Sequence, residues 1–385
     1  MKVLSRYNWI KIIFYIAILT ELFIVILEKS SYIIQYESLW FRFTFGLFVI
    51  KVLATKYTRK QWGALILLGV IAVISYLATG RNEMLRIVAL VAACKDMEPK
   101  PLLKTIFWIT AIGCAIIVLL SLVGVAGVIS VTDEFRVGKI ETRYCFGMGH
   151  PNSFHGMIWV LITLGCYIYR QKLRMWHYVI LFIANILIYL FTLSRTATLL
   201  TMMVIIAYVV LNVWKRLAEY KWYYILCTIG VVVCVLVTMF LTEYWADYDF
   251  IRVIDEKLSL RVTVVNVVEN AKPSDWTLFG LQENDYFFDM GISRLFYWYG
   301  VIPAILYLLM NFHLLHIAYK NRNSFLSTIV LVSTVYTLVE AHLISDYLLR
   351  NYLFVMYGLS LTIPSEEKAL KSEFYFWDIR LIKRG

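Results

Sequence analysis

Apolar runs of about twenty residues recur from one end of this chain to the other, and they leave few folds open. A helix of that length crosses the roughly 30 Å hydrocarbon core of a bilayer, and it satisfies its own backbone hydrogen bonds there. Twelve runs are read in the 385-residue sequence: 8–27, 32–52, 62–79, 83–97, 103–125, 152–169, 177–194, 196–214, 222–242, 295–317, 325–342 and 346–363. The expected fold class is all-α, a single polytopic membrane domain over residues 1–385 with twelve transmembrane helices. The fourth run is short and carries Arg86. The first keeps Lys11 and Glu21 and has no small-residue cleavage site behind it, so it reads as a retained anchor. With 61% apolar residues and 16% charged, the chain has too few charges to cover a soluble surface. The alternating ten-residue strands of an outer-membrane barrel are missing. Five of the six cysteines lie in apolar runs, Cys145 being the exception, and no spacing suggests a disulfide framework or a zinc site. No metal and no cofactor are expected.

Cytoplasmic loops of membrane proteins are enriched in Lys and Arg. Placing the N-terminus inside makes every inner segment basic: Lys2 and Arg6, Lys56 and Arg59, Lys95 and Lys100, Arg170 and Lys172, Lys215 and Arg216, Lys320 and Arg322, and the tail at 364–385. Both termini are therefore expected in the cytoplasm. The net charge of +11 then belongs to inner loops and anionic lipid, and nucleic acid is not an expected partner. Two outer segments are long, 127–151 and 243–294. A solute carrier keeps its chemistry at the midplane, whereas mass on the outside points to work at the outer leaflet.

The outer segments hold Arg81, Arg136, Arg143, Arg195, Arg252, Arg261, Arg294 and Arg350, where the charge rule should deplete them. Arginine binds phosphate through a planar fork, so the group suggests a site for a phosphorylated lipid head, the alternative being pairing with Glu134, Glu141, Asp255 or Asp289. Three local features sharpen the choice. Arg136 and Arg143 precede Gly147, Gly149, His150, Pro151 and Asn152, where glycines and the start of the sixth helix suit a phosphate cradle. Arg195 sits in a tight turn between two spans, with little room to reach water. Ile251, Ile254, Leu258, Val265 and Val268 mark one face of an amphipathic helix in the second long segment, and Arg261 falls on that face. Farther on, Glu283, Asp285 and Asp289 are carboxylates suited to general-base work, or else solvated loop charges.

In order along the chain, Gly147-Met-Gly149-His150-Pro151-Asn152, Ser194-Arg195-Thr196, Ser259-Leu260-Arg261, Phe279-Gly280-Leu281 before Asn284-Asp285-Tyr286, Gly300-Val301-Ile302, and Glu340 with Asn351 make up a pattern. With these pieces, and with ten residues between Arg136 and Gly147, the chain resembles the Wzy-type polysaccharide polymerases, relatives of the O-antigen ligases. The resemblance implies a metal-independent glycosyltransferase at the outer face of the bacterial plasma membrane. Its donor would be a growing glycan on undecaprenyl pyrophosphate and its acceptor a single repeat unit on the same lipid. A flippase and a chain-length regulator would be partners besides membrane lipid. Arg195 and Arg261 are expected to hold the pyrophosphate. Glu283 stands where the ligases often carry a histidine before the Asn and is the candidate base, with His150 and Asp285 as the alternatives. Arg136, Arg143, Gly147, His150, Asn152, Asn284 and Tyr286 are the expected substrate-binding residues. A ligase using the same donor, and a lipid-linked oligosaccharide flippase, are the competing readings. A transporter should carry polar midplane residues on broken helices, for which Glu37 and Arg42 are the candidates.

Overall fold

The computed structural model describes residues 2–30, 32–136, 138–361 and 375; the expected tail at 364–385, Tyr375 apart, lies outside them. In chain order the elements are α1 (Lys2–Lys29), α2 (Glu37–Leu53), α3 (Arg59–Thr79), α4 (Glu83–Ala93), α5 (Pro99–Leu122), β1 (Ser130–Arg136), β2 (Lys139–Tyr144), α6 (Pro151–Tyr169), α7 (Met175–Thr192) and α8 (Arg195–Val213). They continue with α9 (Lys221–Glu243), α10 (Asp249–Lys257), α11 (Arg261–Val267), α12 (Gly291–Tyr299), α13 (Val301–Lys320), α14 (Ser324–Val339) and α15 (Leu353–Ser360).

Seven of these helices, α1, α3, α5, α7, α8, α9 and α13, are long and apolar enough to cross a membrane. Their outward faces say what surrounds them. Only 17% of α7 and 22% of α3 is buried within the apolar window. Val179, Ile183, Leu187 and Leu190 on α7, and Ile66, Leu67, Val70 and Leu77 on α3, point away from the protein. Continuous apolar faces of this extent suit lipid and not water. Inside the bundle, Phe14, Ile18 and Leu22 of α1 meet Phe48, Leu90 and Leu102, and Trp159 of α6 stacks on Tyr336 of α14 at 4.2 Å.

Four features depart from the sequence expectation. First, α4 and α15 have 11 and 8 residues. At 1.5 Å per residue they rise about 16 and 12 Å, so neither crosses a bilayer by itself. Second, the all-α expectation misses a hairpin. The segment at 127–151 pairs β1 with β2 antiparallel, Val131 opposite Arg143 and Thr132 opposite Thr142, where the two threonine hydroxyls lie 2.8 Å apart. Its β-branched residues and Gly138, at φ +73°, favour the strand-and-turn conformation.

Third, the single amphipathic helix expected at 251–268 is two helices. Ser259 and Leu260 both take left-handed conformations, at φ +60° and +61°, and break it. The buried carboxylate of Asp255 stabilises the break: Oδ1 accepts from the Val262 amide at 2.7 Å and Oδ2 from the Thr263 amide at 2.8 Å. The start of α11 is thus capped from the preceding helix. Ile251, Val262 and Val265 still reach a shared core with Phe288, Ile292 and Leu295.

Fourth, the tenth expected span is joined to a separate short helix: α12 meets α13 at Gly300, whose φ is +86°. The loop at 277–281 runs beside that junction. The Val301 and Ile302 amides donate to the Thr277 and Leu278 carbonyls at 2.9 and 3.0 Å. A Cβ on Gly300 would overlap the Phe279 backbone, and one on Gly280 would overlap the Trp298 carbonyl. Two of the glycine motifs in the sequence therefore form one close backbone contact.

A candidate site at a broken helix

The chain leaves helical geometry between α14 and α15, over residues 340–352, apart from a single 3-10 turn at Leu348–Arg350. Non-helical backbone inside a membrane protein needs other partners for its carbonyls. Turn amides serve several of them, and arginines serve others. Arg261 donates through Nη1 to the Val339 carbonyl, and Arg294 donates through Nη2 to those of Ala341 and Ile344. Arg86 Nη1 donates to the Asp346 carbonyl at 2.8 Å. Asn351 donates to the Tyr307 hydroxyl at 3.1 Å, and its Oδ1 accepts from the Leu353 amide at 3.2 Å, starting α15.

The carboxylates around the break are paired as well. Arg261 lies 2.7 Å from Glu340 through Nη2 and 3.3 Å from Asp289 through Nε. Burial lowers the Arg261 pKa, but Glu340 and Asp289 more than offset this, and the net shift is upward. Arg86 reaches both oxygens of Glu21 at 3.1 Å, and Arg350 pairs with Glu28. Glu37 and Arg42, the candidates for polar midplane residues in the transporter reading, are not joined: Arg42 is exposed, and a buried pair is made by Arg86 with Glu21.

The sequence-predicted site residues fall into four places. Arg261 is at the break, as its place on the apolar face suggested, but all three of its nitrogens are taken by protein groups. Arg195 is the first residue of α8 and is exposed, because Leu193 turns the chain at φ +50° and frees the side chain. The turn therefore does not confine it. Arg136 ends β1, and its side chain lies outside the described residues. Arg143 is buried on the inner face of the hairpin, bonded to Glu141 at 2.8 Å and lying 4.2 Å over the ring of Phe135.

The glycines and the start of α6 come together here, but the residue that caps the helix is His150 and not Asn152 or Ser153. Gly147 has φ +83° and packs on Ser121 and Ile117 of α5. The His150 ring caps α6 by accepting the Asn152 amide at 3.2 Å, and Asn152 Oδ1 accepts from the Ser194 hydroxyl at 2.8 Å. His155 is locked instead between Asn185 at 2.9 Å and Thr192 at 3.2 Å, a packing role. His150 is open to solvent on one side. Burial on its other side lowers its pKa from 6.5, Asp289 opposes that, and Arg143 and Lys29 add to it. The neutral ring is thus favoured in the folded protein, while an unfolded chain takes up a proton near pH 6.5. Stability from this cap is present above pH 6.5 and declines as the pH falls below it. A His150→Asn protein, which keeps a cap without the titration, is expected to show a flatter melting-temperature profile between pH 7 and 5.

Glu283, Asn284 and Tyr286 share a shallow surface pocket of about 360 Å³ with Val267, Glu269, Asn270 and Tyr297. Asn284 is buried and holds the loop to α12 by donating to the Tyr297 carbonyl at 2.7 Å, while Arg81 donates to its own carbonyl at 3.1 Å. Glu283 and Tyr286 are exposed. Of the two carboxylates beside Arg261, Glu340 is buried and Asp289 is 41% exposed and so reachable; Glu283 is not one of them. Sequence reasoning missed Glu28 and Lys29, which close α1 on the same side; a charged pair ending an apolar run was the available signal.

A second feature adjoins the break. A groove of about 540 Å³, lined mainly by apolar side chains, runs between α3, α4, α13 and α15, from Tyr57 and Leu361 to Leu343, Ile344 and Ser345. Comparison with protein-family models, with curated proteins and with solved structures gives no match.

Proposed function

We propose that this chain is a polymerase of the Wzy type, joining undecaprenyl-pyrophosphate-linked repeat units at the outer face of a bacterial plasma membrane. In this reading the chain makes twelve crossings with both ends inside, α4 and α15 packing together and each crossing only together with the turn and non-helical residues that flank it. The observation that carries it is the meeting of two surfaces. The apolar groove ends at Ile344, whose carbonyl is held by Arg294 within the charged cluster. A ligand with a long apolar tail and an anionic head suits such a junction. The acceptor hydroxyl oxygen forms the new bond to the donor's anomeric carbon. The bond from that carbon to the pyrophosphate oxygen breaks, and the lipid pyrophosphate leaves with the electron pair. Asp289 is placed to take the hydroxyl proton, since it is accessible and oriented by Arg261. Cations around the break stabilise the leaving group.

The broken helix and the buried Arg86–Glu21 pair also favour a second reading, a transporter of lipid-linked oligosaccharide. Deleting the gene separates the two. The polymerase reading expects loss of long glycan, with single lipid-linked repeats still reaching the outer face. Repeats trapped inside would establish transport instead, and unchanged long glycan would remove both readings.

A further inference from the structure

Arg294 is the least compensated charge of the cluster. Its side chain is fully buried, and it makes no ion pair among the described residues. Its guanidinium lies between the rings of Phe287 at 4.0 Å and Trp298 at 4.4 Å. Nη2 serves the Ala341 and Ile344 carbonyls, while Nε and Nη1 are buried without a hydrogen-bond partner. Lys29 is 6% exposed, 3.5 Å from the Ser153 hydroxyl and 3.5 Å from Glu28, a carboxylate it shares with Arg350. His342 presents a buried Nε2 with no partner, and the ring sits against Gly156, one turn further along α6 from Ser153. Arg294 holds the Ala341 carbonyl next to His342, whose ring lies beside Gly156, and Lys29 reaches Ser153 one turn earlier on the same helix, so the three side chains converge on the start of α6.

Collecting like charges in a buried space is unfavourable unless an anion joins them. The backbone contributes in the same sense. The Ser153 amide, in the first turn of the 19-residue α6, has no hydrogen-bond partner among the described residues. The positive end of the α6 dipole therefore faces Lys29. Among cations, Arg261 has its nitrogens occupied and Arg195 is exposed, so neither is as ready to receive a phosphate group.

We propose that Lys29, Arg294, His342 and the Ser153 turn of α6 form a buried anion site for a pyrophosphate group. The site places the head of a lipid-linked pyrophosphate between α1, α6 and the 340–352 break. The identity of that lipid rests on the polymerase reading; the anion site itself does not. Arg294 also holds two carbonyls of the break, so its replacement can unfold the segment. Lys29 closes a helix and carries no such duty, which makes it the informative position.

The test uses the whole chain in detergent micelles and measures dissociation constants for inorganic pyrophosphate, farnesyl pyrophosphate and farnesol. The control is Arg252→Gln, which removes an exposed outer cation and gives the same change in net charge. Binding of both pyrophosphates, weakened about tenfold or more by Lys29→Gln and not by Arg252→Gln, is the expected result, with farnesol unaffected. Tighter binding of farnesyl pyrophosphate than of inorganic pyrophosphate marks a lipid head as the source; equal binding marks a free anion. Absence of pyrophosphate binding, or affinity unchanged in Lys29→Gln, overturns the site. Lys29-dependent binding by a protein that joins no repeat units keeps the site and removes the polymerase reading. Polymerisation with affinity unaffected by Lys29→Gln removes the site and keeps that reading.

Discussion

Replacing Arg261 by methionine is expected to destabilise the protein by about 3–5 kcal/mol, because it strips the partner from a buried carboxylate. Glu340 is 7% exposed and loses its 2.7 Å contact, Asp289 loses its 3.3 Å contact, and the Val339 carbonyl loses its donor. Lysine is expected to rescue little, since one ammonium cannot span three acceptors that a guanidinium reaches with three nitrogens. Adding Glu340→Gln to Arg261→Met should recover part of the loss by removing the stranded charge. Melting temperatures of the four proteins in one detergent provide the check. If Arg261 served substrate alone, Arg261→Met would melt like the parent and the second substitution would restore nothing.

The second large effect is expected at Gly300. Alanine there needs a backbone at φ +86° and ψ 177°, a region essentially confined to glycine, costing roughly 1–3 kcal/mol, and it also drives a Cβ into the Phe279 backbone. Backbone cannot move aside as a flexible side chain can, so the total is expected to exceed about 4 kcal/mol and to deplete folded protein from the membrane. Gly124 separates the two causes. It has φ +72° and nothing within 4 Å of an added Cβ, so Gly124→Ala carries the strain alone. Membrane levels of Gly300→Ala equal to those of Gly124→Ala would show that the 277–281 loop yields.

The membrane helices were legible because hydropathy is a local sum, and α1, α3, α5, α7, α8, α9 and α13 are each continuous in it. The breaks were not legible for the same reason. Apolar residues flank Gly300 on both sides, so a hydropathy window passes over a glycine whose role comes from Phe279 and Gly280 packing against it. The break at Ser259 and Leu260 depends on Asp255, whose carboxylate looks like any solvated charge until it is seen capping α11. Arg261 was found because its apolar neighbours put it on an inward face. Its partners were hidden because Glu340 lies 79 positions away. Arg195 shows the reverse error: a short turn suggests confinement, but the left-handed Leu193 leaves the side chain outside. The Glu283 and Asp289 carboxylates are close in sequence, and only the fold separates them, one into the surface pocket and one to Arg261.

Polymerisation is read out by reconstituting the purified chain with single repeat units on undecaprenyl pyrophosphate and resolving the lipid-linked products by size. A ladder of two or more joined units is expected, with release of undecaprenyl pyrophosphate in step with each bond formed. Asp289→Asn is expected to slow the ladder by on the order of a hundredfold, while Glu283→Gln leaves it near the parent rate. Single units recovered unchanged, with no undecaprenyl pyrophosphate released by a folded and membrane-inserted protein, would contradict the polymerase reading.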